Sequence, residues 1–227
     1  MKTMWPAGIL AALACLCLAV PIHASASGNL AEFMSYDGLE KIKVKGLDLV
    51  YARPGATLAT YTKVQLEPIT VAFAKNWSGK QAGSPWALSQ QQRDAIGQKI
   101  GTIVYDAFVR ELQTKGDYEI VTAPAPDVLR VKIDILNVKV TAPDQSTAMG
   151  AASISASAGQ GTLVAQLYDS ETGQILARVV DAQAAQENGM MMINTSTGNQ
   201  VQAEGIARTW AKALRNALDK AHGLGKR

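Results

Sequence analysis

Two histidines and two cysteines supply all the imidazole and thiol chemistry of this 227-residue chain. Cys15, Cys17 and His23 fall within the first 26 residues, and His222 stands near the C-terminus at the end of an amphipathic run. A Ser-His-Asp or Cys-His nucleophile needs a general base beside it, and a zinc site needs clustered His or Cys donors. A lone His222 provides neither and reads as a solvated cation at a helix end, where the macrodipole favours positive charge. Carboxylates remain: Asp117, Glu119, Asp127, Asp134, Asp169 and Glu171 could act in pairs, as in glycoside hydrolysis. Each also has a plain structural place. Asp117 and Glu119 flank a strand, Asp127 opens one, Asp134 lies on a polar strand face, and Asp169 and Glu171 sit in a turn. None has the apolar surroundings that raise a carboxyl pKa for acid catalysis. The expectation is a protein without enzymatic activity, cofactor or metal, with a carboxylate-based hydrolase as the alternative.

Softer and recognition chemistries are few. Met190, Met191 and Met192 are the type of ligand that suits Cu(I), but consecutive side chains diverge on a helix or a strand and cannot converge on one ion. They read as flexible apolar packing. No phosphate loop occurs, and Gly159-x-Gly161 is too short a pattern for a dinucleotide. Three residues remain as binding candidates. Arg53 precedes Pro54-Gly55, a pair with the chemistry of a turn, and its guanidinium can fork onto a carboxylate in the domain or contact a partner. Trp77 and Trp86 lie in "AKNWSGKQAGSPWAL", a loop expected to fold back on the domain with room for a small ligand beneath it.

The first 26 residues stand apart from the fold. Lys2 is followed by the apolar run Ile9 to Val20, far short of the roughly 20 residues that cross a bilayer, and Ala24-Ser25-Ala26 offers a signal cleavage site after Ala26. Cys15 and Cys17 are the alternative as lipidation sites. Ala12-Leu13-Ala14 before Cys15 and Leu16 before Cys17 fit a lipobox poorly, and one acyl chain separates a dissolved protein from a tethered one. The expected product is periplasmic, with an outer-membrane lipoprotein as the alternative and no membrane contact unless the chain is lipidated. Without cysteine after cleavage it carries no disulfide, so a packed core must stabilise it. Residues 27–227 suit one domain at 48% hydrophobic content. Removing Lys2 lowers the formal charge from +3 to +2, a bias too small to argue for nucleic acid.

Periodicity supplies the elements. Residues 29–46 read as a surface strap. Lys63 to Phe73 alternate, with Pro68 marking a bulge or an edge strand. Ser89 and Gln92 form a capping box for a helix whose stripe is Ile96, Ile100, Ile103, Val104, Ala107, Phe108 and Leu112. Gly97 and Gly101 allow that helix to approach a sheet, and Gly116 ends it. Tyr118 to Ala123 and Asp127 to Val140 are strands, the second expected as two antiparallel segments bending near Leu136-Asn137. Residues 142–161 carry almost only small side chains and read as a flexible flap. Thr162 to Tyr168 and Ile175 to Val180 form a hairpin whose turn is pinned by Asp169 and Thr172. A last helix runs from about Val201 to His222, with Arg215, Lys220 and His222 complementing its dipole. The fold class is α+β: a mostly antiparallel sheet with two main helices on one face, a two-layer sandwich.

"YDGLEKI" (residues 36–42), "YARPGATLATYTKVQLEPITVAFAKNW", "PAPDVLRVKIDILNV" and "LYDSETGQILARVVDAQ" (residues 167–183) together resemble the bacterial envelope domain-of-unknown-function family DUF3313, over roughly Phe33 to Lys220. The resemblance implies a small exported protein, commonly a lipoprotein, with no catalytic residues to carry over. The expected function is thus a noncatalytic binding or accessory protein of the periplasm. It would engage an envelope partner through a sheet edge or the flap, or a small ligand under the Trp77/Trp86 loop.

Overall fold

The computed structural model describes residues 37–77, 87–141, 157–184 and 196–224. Ala26, Cys15, Cys17, Trp86, Met190 to Met192 and most of the expected flap lie outside the described residues.

The long alternating runs form the centre of an eight-stranded sheet. Strand β6 (Val128–Thr141) buries Leu129, Val131, Ile133 and Ile135 on one face. It pairs antiparallel with β7 (Ser157–Asp169), which pairs antiparallel with β8 (Ile175–Ala184). Residues 157–161, expected in the flap, are therefore strand. The expected bend near Leu136-Asn137 is a bulge inside one continuous strand: Asn137 has φ 55°, and the register shifts between Leu136 and Lys139. The inserted residue returns Val138 to the face of Ile135, while Leu136 packs on the opposite face with Ala72, Val164 and Val180.

Pro68 divides the run Lys63 to Phe73 into β3 (Lys63–Leu66) and β4 (Thr70–Phe73). Both lie along the same edge of β6, and both are parallel to it: Val64 stands opposite Leu129, and Val71 opposite Ile135. Parallel pairing follows from the connection, because the chain crosses through a helix before it enters β6. The two-residue β5 (Glu119–Ile120) adds to β3, also in parallel. At the other edge, β1 (Glu40–Ile42) and β2 (Leu49–Ala52) extend the sheet from β8. Part of the expected strap is thus strand, and the Arg-Pro-Gly turn directly follows β2. Gly55 holds φ 76° there, and the Ala56 N–H donates to the Arg53 carbonyl at 3.1 Å.

Helix α1 (Gln90–Val109) starts on the expected capping box, with Gln92 N–H donating to Ser89 Oγ at 3.2 Å and Ser89 N–H to Gln92 Oε1 at 2.9 Å. Its buried face carries Ile96, Val104 and Phe108, and Leu112 continues it in the next turn. At roughly 1.5–3 kcal/mol for each large apolar side chain, these four contribute on the order of 6–12 kcal/mol before conformational entropy. Gly97 and Gly101 face β4: a Cβ on Gly101 would lie 3.3 Å from the Ile69 carbonyl oxygen. The helix then widens into a π-turn at Arg110–Thr114, which buries the adjacent Glu111 and Leu112 together. Helix α2 (Ser196–Ala221) buries Ala207, Trp210, Ala211 and Leu218 beside α1 on the same sheet face. The result is α+β, with a mixed but mostly antiparallel sheet and both helices on one side.

Candidate binding site

Arg53, Asp127, Asp134 and Asp169, singled out in the sequence, are engaged in the fold. Arg53 Nε donates to the Ile175 carbonyl at 2.7 Å and Nη2 to the Asp37 carbonyl at 2.8 Å. Its fork therefore closes on two backbone oxygens and ties the turn after β2 to the start of β8; the carboxylate expected as its partner in the domain is replaced by main chain. Trp77 stacks on Phe73 with ring centroids 4.5 Å apart and packs on the core. Asp127 accepts from Thr62 Oγ1 at 2.8 Å and faces Lys63 Nζ at 3.2 Å, and these donors lower its pKa. Asp169 accepts from the Thr172 N–H at 2.8 Å and hydroxyl at 2.7 Å, as the hairpin turn requires, and its pKa is lowered by them. Tyr61 also donates to Asp169 at 2.9 Å; burial and then this carboxylate push the phenol up to about 12. Asp134 is buried and accepts from the Thr70 hydroxyl.

Three buried carboxylates were absent from the sequence candidates. Glu111 reaches Lys115 Nζ at 2.9 Å and Arg215 Nη2 at 3.5 Å. Asp219 accepts from the Tyr118 hydroxyl at 2.9 Å, with Arg215 Nε 3.9 Å away. Arg215, expected to complement the dipole of α2, is thus also a buried cation that joins α2 to the π-turn after α1. His222 is likewise half-buried, not solvated: its Nδ1 lies 2.8 Å from the Leu218 carbonyl and its ring 5.9 Å from that of Tyr118. Asp181, 1% exposed, accepts from Trp210 Nε1 at 2.7 Å and from the Asp48 N–H at 3.1 Å. The Glu111/Lys115 and Arg215/Asp219 spacings of four residues were the available signal. The burial was not, because it depends on how the two helices pack.

The sheet face away from the helices carries a second set of ion pairs. Arg130 Nη1 meets Glu67 Oε1 at 3.0 Å and lies 4.5 Å over the Tyr168 ring. Arg178 meets Asp37. Burial raises the Tyr168 pKa against the opposing pull of Arg130. Among the described residues, no three His, Cys, Asp or Glu side chains gather as an ion site.

The feature with the shape of a binding site lies on the helix face. A cavity of about 210 Å³ opens between α2 and the edge formed by β8, β2 and β1. Its floor is the apolar face of the sheet, including Leu167, Ala177 and Val50; α2 supplies Trp210, Ala213 and Ala217, and the β1–β2 connection supplies Val44 and Leu47. Of the described residues lining it, Thr57 and the Trp210 N–H carry the only polar side-chain groups, and the indole is committed to Asp181. Ile42 and Val44 stand at its mouth, 44% and 40% exposed. The signal was the alternation in "EKIKVKGL", in which Ile42 and Val44 interleave with lysines. Two further depressions differ in character. One of about 300 Å³ between α1 and α2 is lined mostly by charged residues, and a more open one of about 650 Å³ lies beside Pro68 at the β3/β4 edge. Neither Arg53 nor Trp77 lines any of the three.

No curated protein matches the chain. Among solved structures it is similar to XCC0632 from Xanthomonas campestris, with 12% identity over 76% of this chain and 91% of that one at a TM-score of 0.41. It is also similar to PelC from Paraburkholderia phytofirmans, crystallised as a dodecamer, with 13% identity over 74% and 95% at 0.35. CT253 from Chlamydia trachomatis gives 11% over 69% and 98% at 0.35. Likenesses this distant carry no conclusion about function or assembly. The family model described as "Protein of unknown function (DUF3313)" matches residues 25–214, and the chain belongs to that family.

Proposed function

We infer that this protein is a noncatalytic, exported binding protein of the cell envelope that holds an apolar ligand in the cavity between α2 and the β8–β2–β1 edge. The observation that carries this reading is the lining: a concave space whose described walls are almost wholly apolar, with Ile42 and Val44 exposed at its edge. Its size is adequate, since an apolar cavity of roughly 150 Å³ already binds benzene and this one measures about 210 Å³. Export is supported by the short apolar run ending at Ala24-Ser25-Ala26. Among the described residues, no helix is long and apolar enough to cross a membrane.

The test is titration with N-phenyl-1-naphthylamine, a neutral dye that brightens in apolar surroundings. The wild-type protein should enhance its emission saturably at micromolar concentration. Ala213→Phe, which projects a ring from the cavity wall, should abolish the enhancement while leaving the urea midpoint within experimental error. Equal enhancement by both proteins refutes the assignment of the site. The mass and N-terminus of the exported protein test the address: a free Ser27 supports a dissolved product, and an acylated cysteine a tethered one.

A further inference from the structure

We propose that Asp181 is the positioning residue of this cavity: its buried carboxylate holds the β1–β2 connection (residues 43–48) against the body of the protein, and ligand enters and leaves when that hold is released. The proposal rests on the cavity reading above and adds how access to the site is controlled. Asp181 is 1% exposed and faces the helix side of β8, as Val179 and Ala177 of the cavity lining do two and four residues before it. Its two oxygens divide between two walls of the cavity. Oδ2 accepts from Trp210 Nε1 of α2 at 2.7 Å, and Oδ1 accepts from the N–H of Asp48, where the connection meets β2, at 3.1 Å. Asp48 returns the contact, its Oδ2 accepting from the Ala182 N–H at 2.9 Å. A carboxylate suits this place because both walls present donors; an amide has one acceptor oxygen and would turn its own N–H groups on the second donor.

The wall that Asp181 secures has the least else to hold it. Elsewhere the lining includes Val131, Leu163, Leu167 and Trp210, all buried in the sheet and α2. The connection instead brings Val44 and Leu47 to the cavity, and β1 before it brings Ile42. All three residues of β1 are exposed, and among the described residues it pairs with β2 alone. Within the connection, the Leu47 N–H reaches the Val44 carbonyl at 3.4 Å, the long end of the range for such a bond. Ahead of β1 the chain is fixed at Asp37, whose carbonyl accepts from Arg53 and whose carboxylate meets Arg178. Residues 40–48 thus form a flap, anchored before β1 and clasped at Asp48. Releasing the clasp uncovers the apolar space without unpacking the helices or the central strands.

The experiment is stopped-flow mixing of N-phenyl-1-naphthylamine with the full chain, and dilution of the complex, which read kon and koff separately. Asp48 is exposed, so Asp48→Ala removes its bond to the Ala182 N–H and leaves the core in place. It should raise kon and koff together by roughly fivefold, one hydrogen bond expressed as a rate, with Kd within about twofold of wild type. Asp48→Asn keeps an acceptor for that N–H and should show wild-type rates. Asp181→Asn must let go of either Trp210 or Asp48, and both rates should rise roughly tenfold or more, because the lost bond is to a charged group. Faster entry is the signature that loss of a mere wall support would not produce. A rise in koff alone, or unchanged rates in Asp48→Ala, overturns the proposal and leaves the cavity reading intact; if Asp181→Asn does not fold, Asp48→Ala decides. Absence of dye binding by the wild-type protein overturns the cavity reading itself, and this proposal with it.

Discussion

Removing the Arg215 guanidinium should reveal how closely the two helix ends depend on each other. Arg215 is 5% exposed and stands between two carboxylates that are themselves 2% and 5% exposed, Glu111 and Asp219. Taking one partner out of a buried ion pair costs roughly 3–5 kcal/mol, because the remaining charge is left without compensation. The geometry argues for the lower end. Glu111 keeps Lys115 Nζ at 2.9 Å, and Asp219 keeps the Tyr118 hydroxyl at 2.9 Å. Arg215→Leu should therefore lose about 3 kcal/mol. With a urea slope of roughly 2.5 kcal/mol/M for a chain of this size, the midpoint should fall by about 1.2 M. A triple variant, Glu111→Gln/Arg215→Leu/Asp219→Asn, should recover at least half of the loss, since neutral groups no longer need a counter-charge. Equilibrium urea unfolding followed by far-ultraviolet circular dichroism reads both. A midpoint for Arg215→Leu within about 0.2 M of wild type would show that the carboxylates are solvated, and the reasoning would fail.

Other perturbations test other parts of the fold. Gly97→Ala and Gly101→Val should move stability in opposite directions. The nearest atom to a Cβ on Gly97 is 3.8 Å away, so the helix gains up to about 1 kcal/mol, whereas valine at Gly101 presses on the Ile69 carbonyl at 3.3 Å and costs about 1–3 kcal/mol. Thermal melts distinguish the two. Ser89→Ala should cost about 1 kcal/mol through loss of the capping box, measurable in the same melts. Asp169→Asn should destabilise the hairpin by about 1 kcal/mol at neutral pH. The folded pKa of Asp169 is depressed, so its contribution is present above the unfolded value of 3.8 and is lost as pH falls below it; wild type and variant should converge in acid. Tyr61 behaves in the opposite sense. Its raised pKa makes its contribution complete below 10 and lost as pH climbs toward about 12, and absorbance at 295 nm should show, beside that of Tyr168, a late phenol that Tyr61→Phe removes.

The elements that were legible in the sequence are those with an unbroken period. Ile96, Val104 and Phe108 share a helical stripe, and Leu129 to Ile135 alternate over seven residues, so α1 and β6 followed directly. Asp169 and Thr172 announced the hairpin turn because their side chains bond locally. Strand direction was illegible at β3 and β4, since alternation is the same in parallel and antiparallel pairs and only the crossover through α1 sets it. Arg215 looked like an end charge because nothing within α2 shows that α1 brings Glu111 against it. The cavity was the least visible feature. Its walls come from elements as far apart in the chain as Val44, Leu167 and Ala217, and Ile42 and Val44 lie in a stretch too short to show a period. Arg53 was read correctly as part of a turn, but its acceptors are main-chain oxygens, which have no signature in a sequence.

Among the described strands the outermost are the shortest, β1 with three residues and β5 with two, while β8, inside β2, runs for ten. A long strand with unpaired amides invites another chain to add on, and β2, held in place by the Arg53 clamp, occupies part of that edge on β8. The segment before Pro54 thus acts as a hem on the sheet. A chain clipped in front of Pro54 would keep the hairpin and both helices yet bare the flank of β8, and self-association in sedimentation, rather than unfolding, should be its first symptom.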